Sequence, residues 1–182
     1  MLALLLSKNC NMKHNPLTVD NIRLNPIWRG LGVFIYFLCW PAIWCMIRMS
    51  PTRARVLVVV EGELLLAQDW LGPNRWSIPG GGLHRGEDPK IGALRELEEE
   101  TGIQLDLKQL KLLGKMNVHN NYIKTKLIIY TASLPVKPQL RISGIEILDH
   151  TWVGRSQLKH IKIDNNTAKI IDSFAKQINL LQ

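Results

Sequence analysis

The spacing of apolar residues changes character several times along the chain. Residues 30–47, GLGVFIYFLCWPAIWCMI, run for 18 positions without a charge between Arg29 and Arg48. After Arg53 the apolar residues come in short bursts instead. Val56–Val60, a tight turn at Glu61-Gly62 and then Leu64–Ala67 predict a β-hairpin. Gln68–Asn74 reads as a loop, and Trp76–Ile78 as a short strand stopped by Pro79-Gly80-Gly81-Gly82. Asp88-Pro89 opens a helix, with Asp as N-cap and Pro in the first turn, which runs to Thr101 and ends at Gly102. Ile91, Leu94 and Leu97 recur every third residue and predict its buried face. Leu110–Val118 and Tyr122–Leu134 read as strands around Asn120-Asn121, and residues 145–153 as another strand. Asp164–Leu181 closes the chain as a helix carrying Ile170, Ile171, Phe174 and Ile178. Strands, a long helix, strands and a last helix imply an α/β fold, with a mixed sheet covered by helices.

The apolar run needs its own explanation. Eighteen residues is at the short end of what spans a bilayer, and Trp28, Trp40 and Trp44 with flanking arginines suit a membrane interface. Pro41 would kink a spanning helix. Three placements stay open: a helix at about 28–48 in the membrane interface or as a short anchor, a helix packed on the domain, or a chain that truly starts near Met46 or Met49. The opening patch Leu2–Leu6 is too short for a signal-peptide core.

With 182 residues, the chain suits one domain plus an appendage. We divide it into an N-terminal extension, 1–52, and a main domain, 53–182. Charge follows that division. Residues 1–55 carry Lys8, Lys13, Arg23, Arg29, Arg48, Arg53 and Arg55 against Asp20 alone, whereas the rest is nearly balanced. The basic excess sits beside apolar sequence, which fits an anionic membrane surface better than specific nucleic acid. Cys10, Cys39 and Cys45 make no paired framework, as expected of thiols in a reducing compartment.

The chemistry concentrates in Glu96, Glu98, Glu99 and Glu100, four carboxylates in the last turns of the long helix. A helix C-terminus prefers cations, and like charges at i,i+4 repel, so this placement costs stability. A rule broken this heavily points to function. Glu96, Glu99 and Glu100 are spaced i, i+3, i+4 and share a face, while Glu98 turns to solvent. Three convergent carboxylates suit Mg²⁺ or Mn²⁺. Gly80-Gly81-Gly82 supplies carbonyls for a metal and amides for phosphate oxygens, and Arg95 can fix a glutamate rotamer.

Gly81, Glu87 and the run Arg95-Glu96-Leu97-Glu98-Glu99-Glu100-Thr101-Gly102-Ile103 together resemble a complete Nudix box. The resemblance extends less sharply over about residues 53–155. It implies a Nudix-type α/β/α sandwich with a mixed sheet, to which the N-terminal apolar helix is added. It implies hydrolysis of a nucleoside diphosphate linked to another group, using Mg²⁺ or Mn²⁺ and water. By similarity Glu99 and Glu100 are the principal metal ligands, Glu96 a further ligand or base, and the Gly80 carbonyl a backbone ligand. Arg95 orients the glutamates and Glu87 supports the loop–helix junction. Glu146 and Asp149 are candidates for a later base.

For substrate contact the candidates are Gly81, Gly82, Arg85 and Trp70, the last by stacking on a base. The ADP-ribose, diadenosine polyphosphate, NADH and coenzyme A signatures of the resembled family are missing in their usual places. A nucleotide-type small molecule is the expected partner. The alternatives are a nucleotide-sensing domain that does not cleave, or a hydrolase of lipid-linked diphosphates held at the membrane through residues 28–48. The expected compartment is the cytoplasm, with the inner face of the membrane as the surface for that helix.

Overall fold

The protein is described here from a computed structural model, over residues 26–42, 45, 52–71, 74–120, 123–141 and 147–177. Leu2–Leu6, Cys10, Trp44, Tyr122 and Glu146 lie outside these residues. The elements in chain order are α1 (Pro26–Leu38), β1 (Thr52–Val60), β2 (Glu63–Asp69), β3 (Trp76–Ser77) and α2 (Pro89–Thr101). A 3-10 turn at Leu107–Gln109 leads to β4 (Lys111–Asn120), β5 (Ile123–Ser133), β6 (Ile147–Val153), α3 (Arg155–Leu158) and α4 (Asn165–Phe174).

The sheet is mixed. β1 and β2 form the predicted hairpin, antiparallel, with Val60 opposite Glu63. Beyond that turn β2 leaves β1 and pairs along its length with β6. β1 instead runs parallel to β5, from Thr52 opposite Lys126 to Val59 opposite Ser133. β4 and β5 complete the far edge as an antiparallel pair. Strand order is β3-β2-β1-β5-β4, with β6 on the other side of β2.

Alternation sorts the strand residues onto two faces. Leu57 and Val59 of β1, Leu64 and Leu66 of β2, and Leu127 and Ile129 of β5 pack with Ile170 and Ile171 of α4. Ala54, Val56, Val58, Leu65, Ile128 and Tyr130 pack with Ala93 and Leu97 of α2. β1 is thus apolar on both faces, as a strand covered twice must be. The layers are helix, sheet, helix.

α2 begins as predicted. Asp88 caps it, accepting from Lys90 N at 2.8 Å and Ile91 N at 3.3 Å. Its end is also as predicted, since Gly102 adopts the left-handed conformation and donates its amide to the Glu98 carbonyl at 2.8 Å. The buried face is as predicted at Leu97, which is buried, and at Leu94, which packs against the core, but not at Ile91. Ile91 is 54% exposed, while Gly92, Ala93, Leu97 and Thr101 are buried. Residues 93, 97 and 101 follow the four-residue spacing of a helix ridge, and small side chains at 92 and 93 bring the helix close to the sheet. The closing helix also starts as predicted, at Asp164, but ends at Phe174 within the described residues. The short helix α3 was not predicted.

The contrast between two apolar positions on α2 gives a test of this packing. Leu97→Ala should cost about 2–5 kcal/mol, and Ile91→Ala no more than about 0.5 kcal/mol, in urea unfolding. Equal costs would mean that α2 is rotated from the position described.

Candidate active site

The site is assembled where α2 meets the segment after β3. That segment lies along the start of β1: Val56 N donates to Pro79 O at 2.9 Å, Ala54 N to Gly81 O at 3.0 Å and Leu83 N to Thr52 O at 3.2 Å. α4 anchors its near end, because the Thr167 hydroxyl accepts from Ile78 N at 3.1 Å. Gly80 has φ +130°, and a Cβ there would fall 2.2 Å from the Ala54 carbonyl oxygen. Only glycine meets both demands. At Gly81 an added Cβ would fall 2.2 Å from Glu96 Oε2, so the bare backbone is the space the carboxylate occupies.

Arg95 ties the glutamates together. Its Nε donates to Glu87 Oε1 at 2.9 Å, and Nη2 donates to Glu87 Oε2 and to Gly82 O, each at 3.1 Å. Nη1 donates to Glu96 Oε1 at 2.9 Å and Glu99 Oε2 at 3.1 Å. A guanidinium has five N–H groups, and all five are used here. Glu87 also accepts from His84 N at 2.7 Å, which closes the turn leading into α2. The structure thus brings Arg95, Glu87, Glu96 and Glu99 together.

Glu100 points elsewhere, accepting from Gly80 N at 2.9 Å. Loss of water around its carboxyl pushes Glu100 up to about 7. Arg55 and the Gly80 amide oppose that rise, while Asp69 and Glu96 add to it. The Gly80 carbonyl accepts from Arg55, whose Nη1 also donates to Ile78 O at 2.7 Å. Arg53, on the same strand, has its pKa lowered by burial and by Arg55. On the far side of Glu100, His150 Nε2 lies 2.8 Å from the Glu100 carbonyl oxygen. Since the carbonyl only accepts, Nε2 carries the proton. Burial lowers the His150 pKa, which favours the neutral ring.

Glu96, Glu99 and Glu100 thus come from one face of α2 but have different partners. Glu96 is 15% exposed at its side chain and Glu99 is 59% exposed. Among the described residues no group of three or more His, Cys, Asp or Glu is placed to hold a metal ion. The reason is visible in the contacts: Arg95 draws Glu96 and Glu99 to itself while Glu100 folds onto Gly80. The donor set still suits a hard divalent cation. Three carboxylates, with Asp69 among the charges acting on Glu100, concentrate negative charge that a cation would relieve.

Of the expected substrate contacts, Gly81 and Gly82 line this segment, and Arg85 stands exposed in the turn before α2. Trp70 lies under α1. Its ring stacks on Trp28, with centroids 5.0 Å apart and planes at 16°, and its Nε1 donates to Trp28 O at 3.0 Å. One face of the ring expected for a base is therefore taken by Trp28. Asp149, a candidate base, accepts from the His150 amide at 2.8 Å. Arg55 and His150 were missed. Two arginines at alternate positions of an otherwise apolar strand were a legible sign for Arg55; His150 had none, because its partner is a backbone carbonyl 50 residues away.

Glu87 carries a pH signature. Its hydrogen bonds from Arg95 hold the carboxyl well below the usual range, at about 2. The stability it confers is full above the unfolded value near 4.5 and is lost as pH falls towards 2. Wild type should exceed Glu87→Gln in urea unfolding at neutral pH, and the gap should close on acidification through that window. A gap independent of pH would remove the ionic role given to Glu87.

Residues 49–174 match the NUDIX domain. Nucleoside diphosphate-linked moiety X motif 6 of Xenopus laevis is 31% identical over 118 residues, which is 64% of this chain and 53% of that protein. This chain therefore spans about half the length of that relative. The NUDIX domain of Shewanella oneidensis NrtR, solved with ADP ribose, superposes with a TM-score of 0.63 at 16% identity, covering 71% of this chain and 88% of that one. A bifunctional NMN adenylyltransferase/ADP ribose pyrophosphatase from Francisella tularensis, solved with AMP and a manganese ion, gives 0.62 at 20% identity, covering 85% and 50%. With the matched domain spanning most of its length, the chain belongs to the Nudix family.

Proposed function

We propose that this protein is a pyrophosphohydrolase that cleaves a nucleoside diphosphate linked to a second group, with Mg²⁺ or Mn²⁺. The observation that carries this reading is the carboxylate face of α2 held by Arg95 against the glycine segment. In the reaction, the oxygen of water attacks phosphorus and the P–O–P bond breaks, leaving two phosphate-terminated products. Glu96, Glu99, Glu100 and the Gly80 carbonyl would hold the cation, which supplies neutralisation of the diphosphate charge.

The chain's own residues do the rest. Arg95 keeps the glutamates from separating under their mutual repulsion. Gly81 and Gly82 leave the wall free of side chains, so that phosphate oxygens can approach the backbone. Arg85 supplies a cation at the exposed margin, and Trp70, braced by Trp28, supplies an aromatic edge for a base. The ligands of the Shewanella and Francisella proteins, ADP ribose and AMP, support a nucleotide-type substrate, and the manganese of the latter supports the choice of metal.

The test is product formation from a panel of nucleoside diphosphate derivatives with and without Mg²⁺ or Mn²⁺. At least one should be cleaved only with the metal, and Glu99→Gln should lower kcat by at least about a hundred-fold. Equal turnover by wild type and variant on every cleaved substrate would overturn the assignment.

A further inference from the structure

The helix α1 turns Trp28, Arg29 and Gly32 towards the domain and a strip of apolar side chains outward. Trp28 and Arg29 hold it to the end of β2 and the residue that follows: Trp28 stacks on Trp70, and the Arg29 guanidinium donates to the side chain of Gln68. Gly32 completes the contact, since a Cβ there would fall 2.4 Å from the Trp70 carbonyl oxygen. At 100° per residue these three positions lie on one side of the helix. Leu31, Phe34, Phe37 and Leu38 fall within an arc of about 120° on the opposite side. They are 42%, 65%, 67% and 69% exposed.

A helix docked on a domain ordinarily buries its apolar stripe. Here the docking contacts occupy one face, and a continuous apolar strip is left on the other. We propose that this strip is a membrane-docking face, and that its partner is a bilayer containing anionic lipid.

Charge and length select that partner. The sequence around the apolar run carries Lys8, Lys13, Arg23 and Arg48 against a single acidic residue, Asp20. Basic residues that flank an apolar helix in the sequence are what an anionic lipid surface attracts. A helix of 13 residues is about 20 Å long, short of the roughly 30 Å hydrocarbon core. Among the described residues no helix is long and apolar enough to cross a membrane. The helix therefore lies along the surface, with the catalytic domain hung from its inner face. Because that inner face touches Trp70 and Gln68, docking would set the site's Trp70 edge beside the bilayer.

The test is co-sedimentation of the full chain with phosphatidylcholine vesicles, with and without phosphatidylglycerol. Wild type should sediment with the anionic vesicles and be released by added salt. The Phe34→Asp, Phe37→Asp double variant should bind at least about ten-fold more weakly, because two apolar anchors are lost. Its turnover of a soluble substrate should be unchanged, which shows that it is folded. Wild type remaining in the supernatant with both vesicle types would overturn the proposal. So would vesicle binding that the double variant retains in full. Dimers of wild type that the double variant dissolves, with vesicle binding unaffected, would assign the strip to a second copy of the chain and also overturn it.

Discussion

The site depends on one guanidinium. Four glutamates crowd the C-terminal turns of α2, where the helix dipole and their mutual repulsion both oppose them. Arg95 offsets this by spreading five hydrogen bonds over Glu87, Glu96, Glu99 and the Gly82 carbonyl. The same bonds join three parts of the chain: the turn before α2, the helix itself and the glycine segment. A lysine could reach one or two of these acceptors but could not span them as a planar fork does. The glutamates around it, Glu87 first, push the Arg95 guanidinium up, so it remains charged.

What Arg95 does on one side, the sheet does on the other. β1 is buried on both faces and is the fixed reference for the site. The glycine segment is hydrogen-bonded along its first residues, and Arg55 reaches from it to the Ile78 and Gly80 carbonyls. Thr167 of α4 holds the Ile78 amide from the opposite layer. Both helical layers thus contribute to the position of three glycines. His150 on β6 braces the α2 backbone at Glu100.

Features set by local physics were legible in the sequence. The Asp88 cap, the Gly102 stop, the hairpin turn at Glu61-Gly62 and the shared face of Glu96, Glu99 and Glu100 follow from spacing alone. Features set by long-range packing were not. Three-residue periodicity put Ile91 inside, yet close approach of α2 to the sheet favours Gly92 and Ala93 there and leaves Ile91 outside. The parallel pairing of β1 with β5 joins strands about 70 residues apart, and no local pattern marks it. The separate partners of Glu96 and Glu100 depend on Arg95 and the Gly80 amide, which periodicity does not weigh.

The apolar run shows the same division. Its helical character was legible, but not the side it would turn to the domain, because Trp70 and Gln68 lie about 40 residues further on. The central claim remains the acidic face of α2 and its affinity for a divalent cation. Titration calorimetry of the full chain with Mn²⁺ tests it most directly. Saturable uptake that is lost in a Glu96→Gln, Glu100→Gln double variant is the predicted result. No uptake by the wild type, or undiminished uptake by the variant, would contradict it.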